Sequence, residues 1–163
     1  MTHEELITHL ALTKHREGGF FRRTYQSEQL INTDRVASER YLLTSIFYLL
    51  TKEHPIGYFH RNQSDIIHYF HQGSPITYFT ISPTGLLERF VLGSDLKQDQ
   101  QLQLMVKGGY WKASVLIEGN YGLLSEAVSP GFDYRDAEMA SPASFKIQFP
   151  ALWEQISHYV APK

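Results

Sequence analysis

The sequence predicts a mainly β protein, a sandwich or closed barrel with a short helix at each end. Three observations predict it. Between Gly19 and Val128, short runs rich in Tyr, Phe, Ile, Val and Thr are separated by clusters of Gly, Pro, Asn, Asp and Ser, the punctuation of strands and turns. No part of that region alternates strand with helix periodicity, which disfavours a doubly wound parallel sheet. At both ends the apolar spacing becomes helical, through Leu6, Ile7, Leu10 and Leu12 at the start and Leu152, Trp153, Ile156 and Val160 at the close.

Thr2 followed by Glu5 is a capping-box pattern that opens the first helix, which should end before Gly18-Gly19. Strands follow over residues 20–26, 41–50, 58–61, 66–71, 76–81, 86–92, 102–106, 110–117 and 121–128. Gln101 to Leu104 alternates polar and apolar, as a peripheral strand with one wet face does, whereas residues 41–50 are apolar on both faces and read as central. Gly108-Gly109 and Gly119-Asn120 each signal a tight hairpin, because a primed turn needs positive φ at its centre. The strand pattern stops after Pro130-Gly131, and Pro150 suits the first turn of the closing helix.

A chain of 163 residues, 42% hydrophobic and 20% charged, has globular composition and is expected to form a single domain over residues 1–163. Its 15 basic and 17 acidic residues leave a net charge of −2, and no basic stripe is present. Arg22 and Arg23 project to opposite faces of a strand, so nucleic acid is not an expected partner. The absence of cysteine removes disulfides and thiolate chemistry and fits a cytoplasmic placement. His3, Glu4, Glu5 and His9 interrupt the start of the chain where a signal peptide needs an apolar run, and no stretch is long enough to cross a bilayer, so no membrane association is expected.

Residues able to carry chemistry gather in the middle of the chain. His54, His60, His68 and His71 fall within eighteen positions. Strand alternation puts His68 with Ile66 and Phe70 on one face and His71 with Ile67 and Tyr69 on the other, so both histidines cannot face one interior. Lys112, between Trp111 and Ala113, is either a pocket cation for an anionic group or a side chain snorkelling to a rim. Glu126, within an apolar run, is either paired inside, with Lys112 or Arg22 as partner, or out in water. Glu17 and Arg22 flank a double glycine that either lets backbone approach a ligand or forms a turn tied by a salt bridge. Tyr25, Tyr48, Tyr69, Tyr78 and Tyr110 are candidates for stacking or proton donation, of which two at most serve a site.

Five segments carry a further resemblance: His15-Arg16-Glu17-Gly18-Gly19-Phe20-Phe21-Arg22, residues 43–50, residues 60–73, residues 106–113 and Val128-Ser129-Pro130-Gly131-Phe132-Asp133. In this order they resemble a small cupin family, DUF985, within the RmlC-like superfamily. The resemblance implies a double-stranded β-helix, the jelly-roll-like cupin barrel, with a pocket between its two sheets, and a homodimer. Metal-binding cupins supply two histidines and a glutamate from one motif and a last histidine from a second. This sequence offers His60, Asn62, then Ile66 in the glutamate's place and Lys112 in that of the last histidine. An ammonium group has no lone pair for a metal, so neither a metal nor another cofactor is expected.

The expected function is binding of a small polar or anionic metabolite, such as a sugar derivative, in the barrel mouth. For proton transfer of the isomerase or epimerase kind, His60 is the candidate base and Tyr69 the candidate acid. Glu17, Arg22, Tyr25, Ser45, His68, His71, Lys112 and Glu126 are the candidate ligand-binding residues. Two other functions stay open: a metal-dependent oxygenase or isomerase using His60, His68 and Glu126, and a binding or sensing module without turnover.

Overall fold

The β-rich runs assemble into two facing antiparallel sheets in this computed structural model, which describes residues 1–162. Lys163, the last residue of the expected domain, lies outside the described residues. Helix α1 (His3–His9) opens the chain, with Thr2 and Glu5 forming the capping box their spacing predicts. The strands are β1 (Thr13–Lys14), β2 (Phe20–Gln26), β3 (Leu30–Asn32), β4 (Glu39–Tyr41), β5 (Thr44–Thr51), β6 (Ile56–Asn62), β7 (Asp65–Gly73), β8 (Ile76–Ile81), β9 (Leu87–Leu92), β10 (Gln103–Val106), β11 (Trp111–Val115), β12 (Tyr121–Ser129) and β13 (Ala137–Met139). Helices α2 (Pro142–Gln148) and α3 (Trp153–Ile156) follow.

One sheet runs β1-β2-β5-β12-β7-β10 and the other β13-β6-β11-β8-β9, while β3 and β4 form a separate hairpin. The mainly β, jelly-roll-like expectation holds. So do the two positional ones: β10 is an edge strand and β5 is interior. Side chains alternate across each strand, so every inner residue has an outer neighbour with a different task. Tyr48, Leu50, Ile76, Tyr78, Leu104 and Leu124 fill the space between the sheets. On the outer face of the five-stranded sheet, Phe59, Trp111 and Ala113 are covered by Phe145 of α2, Phe149 and Ile156 of α3. On the other outer face, Leu6 and Leu12 from the N-terminal segment cover Leu49 and Leu123. Beyond them a row that includes Tyr25, Ile67 and Met105 is left without a covering element, Tyr25 at 52% and Met105 at 46% exposure.

Both glycine turns depart from the expected hairpins. Gly109 and Gly119 do take positive φ, +83° and +86°. The strands they join lie in different sheets, because β10 pairs with β7, β11 with β6 and β8, and β12 with β5 and β7. The same backbone requirement serves a corner between layers, and local sequence does not distinguish the two uses. The closing helix also differs. It is split, with α2 starting at Pro142 behind the Ser141 cap, and α3 running into a 3₁₀ turn at Ser157–Tyr159. Among the described residues no helix is long and apolar enough to cross a membrane.

The β3–β4 hairpin is fastened by charge. Arg40 donates to Asp136 from Nη2 at 2.7 Å and from Nε at 2.8 Å, and Arg35 donates to the same carboxylate at 2.8 Å. Arg40 is 2% exposed and Asp136 6%, so the pair is stable only while complete. Asp136→Ala is expected to lower unfolding stability by about 3–5 kcal/mol in urea titration, since it strands a buried guanidinium. A loss below about 1 kcal/mol would place the pair effectively in water.

Candidate functional site

Strand pairing brings the titratable groups together. On the six-stranded sheet, Ile46, Glu126, His68 and Leu104 are opposed in one inward-facing row. On the five-stranded sheet His60 is opposed to Lys112, and Lys112 to Thr80. Lys112 crosses the interior, its Nζ 3.4 Å from both Glu126 Oε1 and His68 Nε2. His68 Nδ1 lies 3.2 Å from Glu126 Oε1 and 3.1 Å from the Tyr78 hydroxyl. Lysine donation to Nε2 therefore leaves the proton of a neutral His68 on Nδ1, where it serves the carboxylate.

The second group is built by a loop. Gly18 and Gly19 take φ of +103° and +68°, and a Cβ at Gly18 would collide with the Ile56 carbonyl, so the chain can fold tightly inward here only with glycine. The Tyr48 hydroxyl donates to the Gly18 carbonyl at 2.9 Å, and Tyr58 N–H donates to that of Glu17 at 2.6 Å. These bonds hold the Glu17 carboxyl in the barrel, 7% exposed, with Oε2 3.2 Å from His60 Nε2 and 3.4 Å from His15 Nδ1. His60 Nδ1 donates to the Tyr58 carbonyl at 2.7 Å, so Nε2 of the neutral ring presents a lone pair to Glu17. Burial pulls His60 down to a pKa of about 3, helped by the Lys112 charge, and pushes the Glu17 carboxyl upward. Both shifts disfavour charge on this pair, keeping the imidazole neutral and raising the carboxyl's affinity for a proton. The other oxygen, Glu17 Oε1, is buried without a hydrogen-bond partner among the described residues.

These residues face a cavity of about 40 Å³. That is space for roughly three waters at about 10–15 Å³ each. His15, Glu17, His60, Asn62 and Glu126 supply its polar wall, and Phe21, Ile46, Ile66, Val128 and Phe132 its apolar one. Arg23 and Tyr134 also line it, and Arg16 stacks over the Tyr134 ring at 4.8 Å. Asn62 Oδ1 accepts from Ser64 N–H at 2.8 Å, which fixes the amide orientation and leaves Nδ2 buried and unpartnered.

Of the sequence-based candidates, Glu17, His60, Glu126 and Ser45 line the cavity. His68 and Lys112 stand behind Glu126 as its partners, so Lys112 is neither a free cation for a ligand nor a rim residue. The remaining four are not brought to the site. Tyr69, the candidate acid, lies on the outer face of β7, 36% exposed, because alternation with the inward His68 turns it away. His71 shares that outer face and meets Phe47 edge-on, Arg22 lies over the same Phe47 ring, and Tyr25 is on the uncovered surface. Two contributors escaped sequence reasoning. His15 stands two residues before Glu17, the same alternation that pairs His60 with Asn62, and Asn62 was weighed only as a missing metal ligand.

The metal set of metal-binding cupins does not fit these residues. Ile66 offers no donor atom, Lys112 sits between Glu126 and His68, and His60 Nε2 is engaged by Glu17. The rearranged set His60, His68 and Glu126 meets the same ammonium. Among the described residues no group of three or more His, Asp or Glu is arranged to hold a metal ion.

Comparisons with known proteins bear on the family and the fold. Residues 4–140 match the family described as "Cupin superfamily (DUF985)". An uncharacterised protein of Saccharomyces cerevisiae is 37% identical over 146 residues, covering 82% of this chain and 72% of its own. A hypothetical protein from Leishmania major superposes with a TM-score of 0.92 at 28% identity, covering 99% of this chain and 100% of that one. A protein of Shewanella oneidensis superposes at 0.91 with 31% identity, covering 100% and 99%. Oxalate decarboxylase of Bacillus subtilis shares the fold alone, at a TM-score of 0.54 and 14% identity over 90% of this chain and 36% of that one.

The buried groups set an acid limit on stability. His60 and His68 are held down to about 3 and about 4, in each case by burial first and Lys112 second, whereas unfolded histidine titrates near 6.5. As pH falls below 6.5 the unfolded chain gains protons that the folded chain refuses, so stability declines by about 1.4 kcal/mol per pH unit for each imidazole. Glu17, shifted upward, acts oppositely just above 4.5. Unfolding free energies measured from pH 7 to 5 are expected to fall, and His68→Gln is expected to flatten the slope by about one proton's worth. An unaltered slope in that variant would rule the buried neutral imidazole out.

Proposed function

Because this chain belongs to the cupin superfamily, in the family DUF985, we propose that its inner cavity binds a small polar metabolite and moves a proton on it, as an isomerase or epimerase does. One observation carries the reading: Glu17 Oε2 lies 3.2 Å from His60 Nε2 while Oε1 of this cavity-lining residue is buried with no partner among the described residues. Oε1 of the Glu17 carboxylate takes a proton from the ligand and, as the carboxylic acid, returns it at a second atom of the ligand, with the neutral His60 ring beside Oε2 too weakly basic to compete for it. The carboxyl thus occupies the role sequence reasoning gave to Tyr69. Burial raises the carboxyl's affinity for a proton, which suits it to take one from a ligand and give it back.

A thermal-shift screen of sugars, hydroxycarbonyl compounds, nucleotides and carboxylates identifies the ligands. Solvent deuterium uptake into any ligand that raises Tm then reports turnover. His60→Ala and Glu17→Gln are each expected to slow that uptake by about 10²-fold or more while circular dichroism stays native. Binding without uptake in the unmodified protein would make the site a binding module, and no stabilising ligand at all would remove the reading.

The uncovered row of Tyr25, Ile67 and Met105 supports a second copy as partner, since sheet faces of this kind are generally paired or shielded. Light scattering at micromolar concentration is expected to give the mass of a dimer, and a monomeric mass would count against it.

A further inference from the structure

The two unpartnered polar atoms of the cavity specify more than its location. Glu17 Oε1 and Asn62 Nδ2 are both buried, both belong to residues lining the same 40 Å³ space, and neither has a hydrogen-bond partner among the described residues. Asn62 is 5% exposed and its orientation is fixed by Ser64 N–H on Oδ1, so the group left facing the cavity is a donor. Buried polar atoms are paired in nearly all proteins, and leaving one unpaired costs about 1–3 kcal/mol. A pair of such orphans in one cavity marks the place of an occupant. Glu17 Oε1 asks it for a donor and Asn62 Nδ2 asks it for an acceptor.

Charge narrows the class. Two carboxyl groups, Glu17 and Glu126, line the space. The nearby cation Lys112 is matched by Glu126, and Arg23, exposed at the rim, donates to Gln26 Oε1 at 2.8 Å. An anion at the inner end of the space would face both carboxyls, whereas the Arg23 charge, which the neutral Gln26 amide does not match, is offered only at the rim. Volume sets the size, since space for roughly three waters holds about four or five non-hydrogen atoms.

Resting on the binding reading above, we propose that the cavity selects an uncharged hydroxycarbonyl group, its hydroxyl donating to Glu17 Oε1 and its carbonyl accepting from Asn62 Nδ2. A phosphorylated or carboxylated end of a larger ligand stays outside the cavity. A site built on directed hydrogen bonds rejects analogues that lack one of them far more strongly than an apolar pocket rejects a missing methylene.

The test uses hydroxyacetone against acetone, which lacks the hydroxyl, and lactate, which carries a carboxylate, in titrations followed by ¹H–¹⁵N NMR. Hydroxyacetone is expected to bind at least ten-fold more tightly than either and to shift the Asn62 side-chain amide pair. Asn62→Asp keeps the Oδ1 bond to Ser64 while deleting the donor, and is expected to abolish the preference. If that variant does not fold, the native amide signals decide alone. Tighter binding of lactate, or an unmoved Asn62 amide at saturation, overturns the assignment. Failure of hydroxyacetone while another class in the thermal-shift panel stabilises the protein overturns the assignment but leaves the binding reading standing. Failure of the whole panel removes both.

Discussion

Lys112 reaches from the five-stranded sheet to Glu126 and His68 on the opposite one, and the interior can hold its charge only because both partners are present. A buried ion pair of this kind adds little net stability, since desolvation consumes most of the attraction. Its effect is on everything nearby. Lys112 and His68 keep Glu126 below the usual carboxylate range although burial alone would raise it, and the same ammonium helps burial to keep His60 and His68 neutral. The interior is therefore charged at one place and neutral around it, and the cavity beside the ion pair inherits that division.

Glu17 shows how a loop can set the chemistry of a barrel. Its carboxyl is placed by bonds to the loop carbonyls from the Tyr48 hydroxyl and the Tyr58 N–H and by glycines that no other residue can replace without collision. Desolvation then raises its proton affinity, and the Tyr58 carbonyl, by fixing the His60 tautomer, turns the Nε2 lone pair toward it. The Phe132 to Tyr134 turn closes the other side. It is anchored by Phe132 N–H donating to Thr44 at 2.8 Å and by the Arg40–Asp136 pair just beyond it.

Much of this was legible in the sequence, and the illegible part has physical reasons. Alternation alone separated His68 from His71 and Tyr69, and β2 and β8 have the bounds that their composition implies. Alternation does not say which face of β7 points inward, because both faces carry apolar, aromatic and histidine residues, and candidates were drawn from both, His68 from one and Tyr69 with His71 from the other. Strands of two or three residues, β1, β3, β4 and β13, leave too little pattern to detect. The Gly108 and Gly119 corners look like hairpins because a turn's dihedral angles carry no record of which sheet the chain enters next. Glu17 was found through its glycines, whereas the need for Asn62 Nδ2 to find a partner emerges only when the amide's other end is seen to be engaged.

Strand β11 gives the C-terminal helices a part in the interior chemistry. It presents Lys112 and Ser114 inward and Trp111 and Ala113 outward, where Phe145 meets the indole edge-on at 4.7 Å between ring centres. A slip of β11 by one residue would exchange the two sets, driving an indole into the polar cavity and the ammonium into an aromatic layer. The aromatic cap thus acts as a latch on strand phase. Side chains that never approach the cavity dictate which of two alternating residues is allowed to reach it.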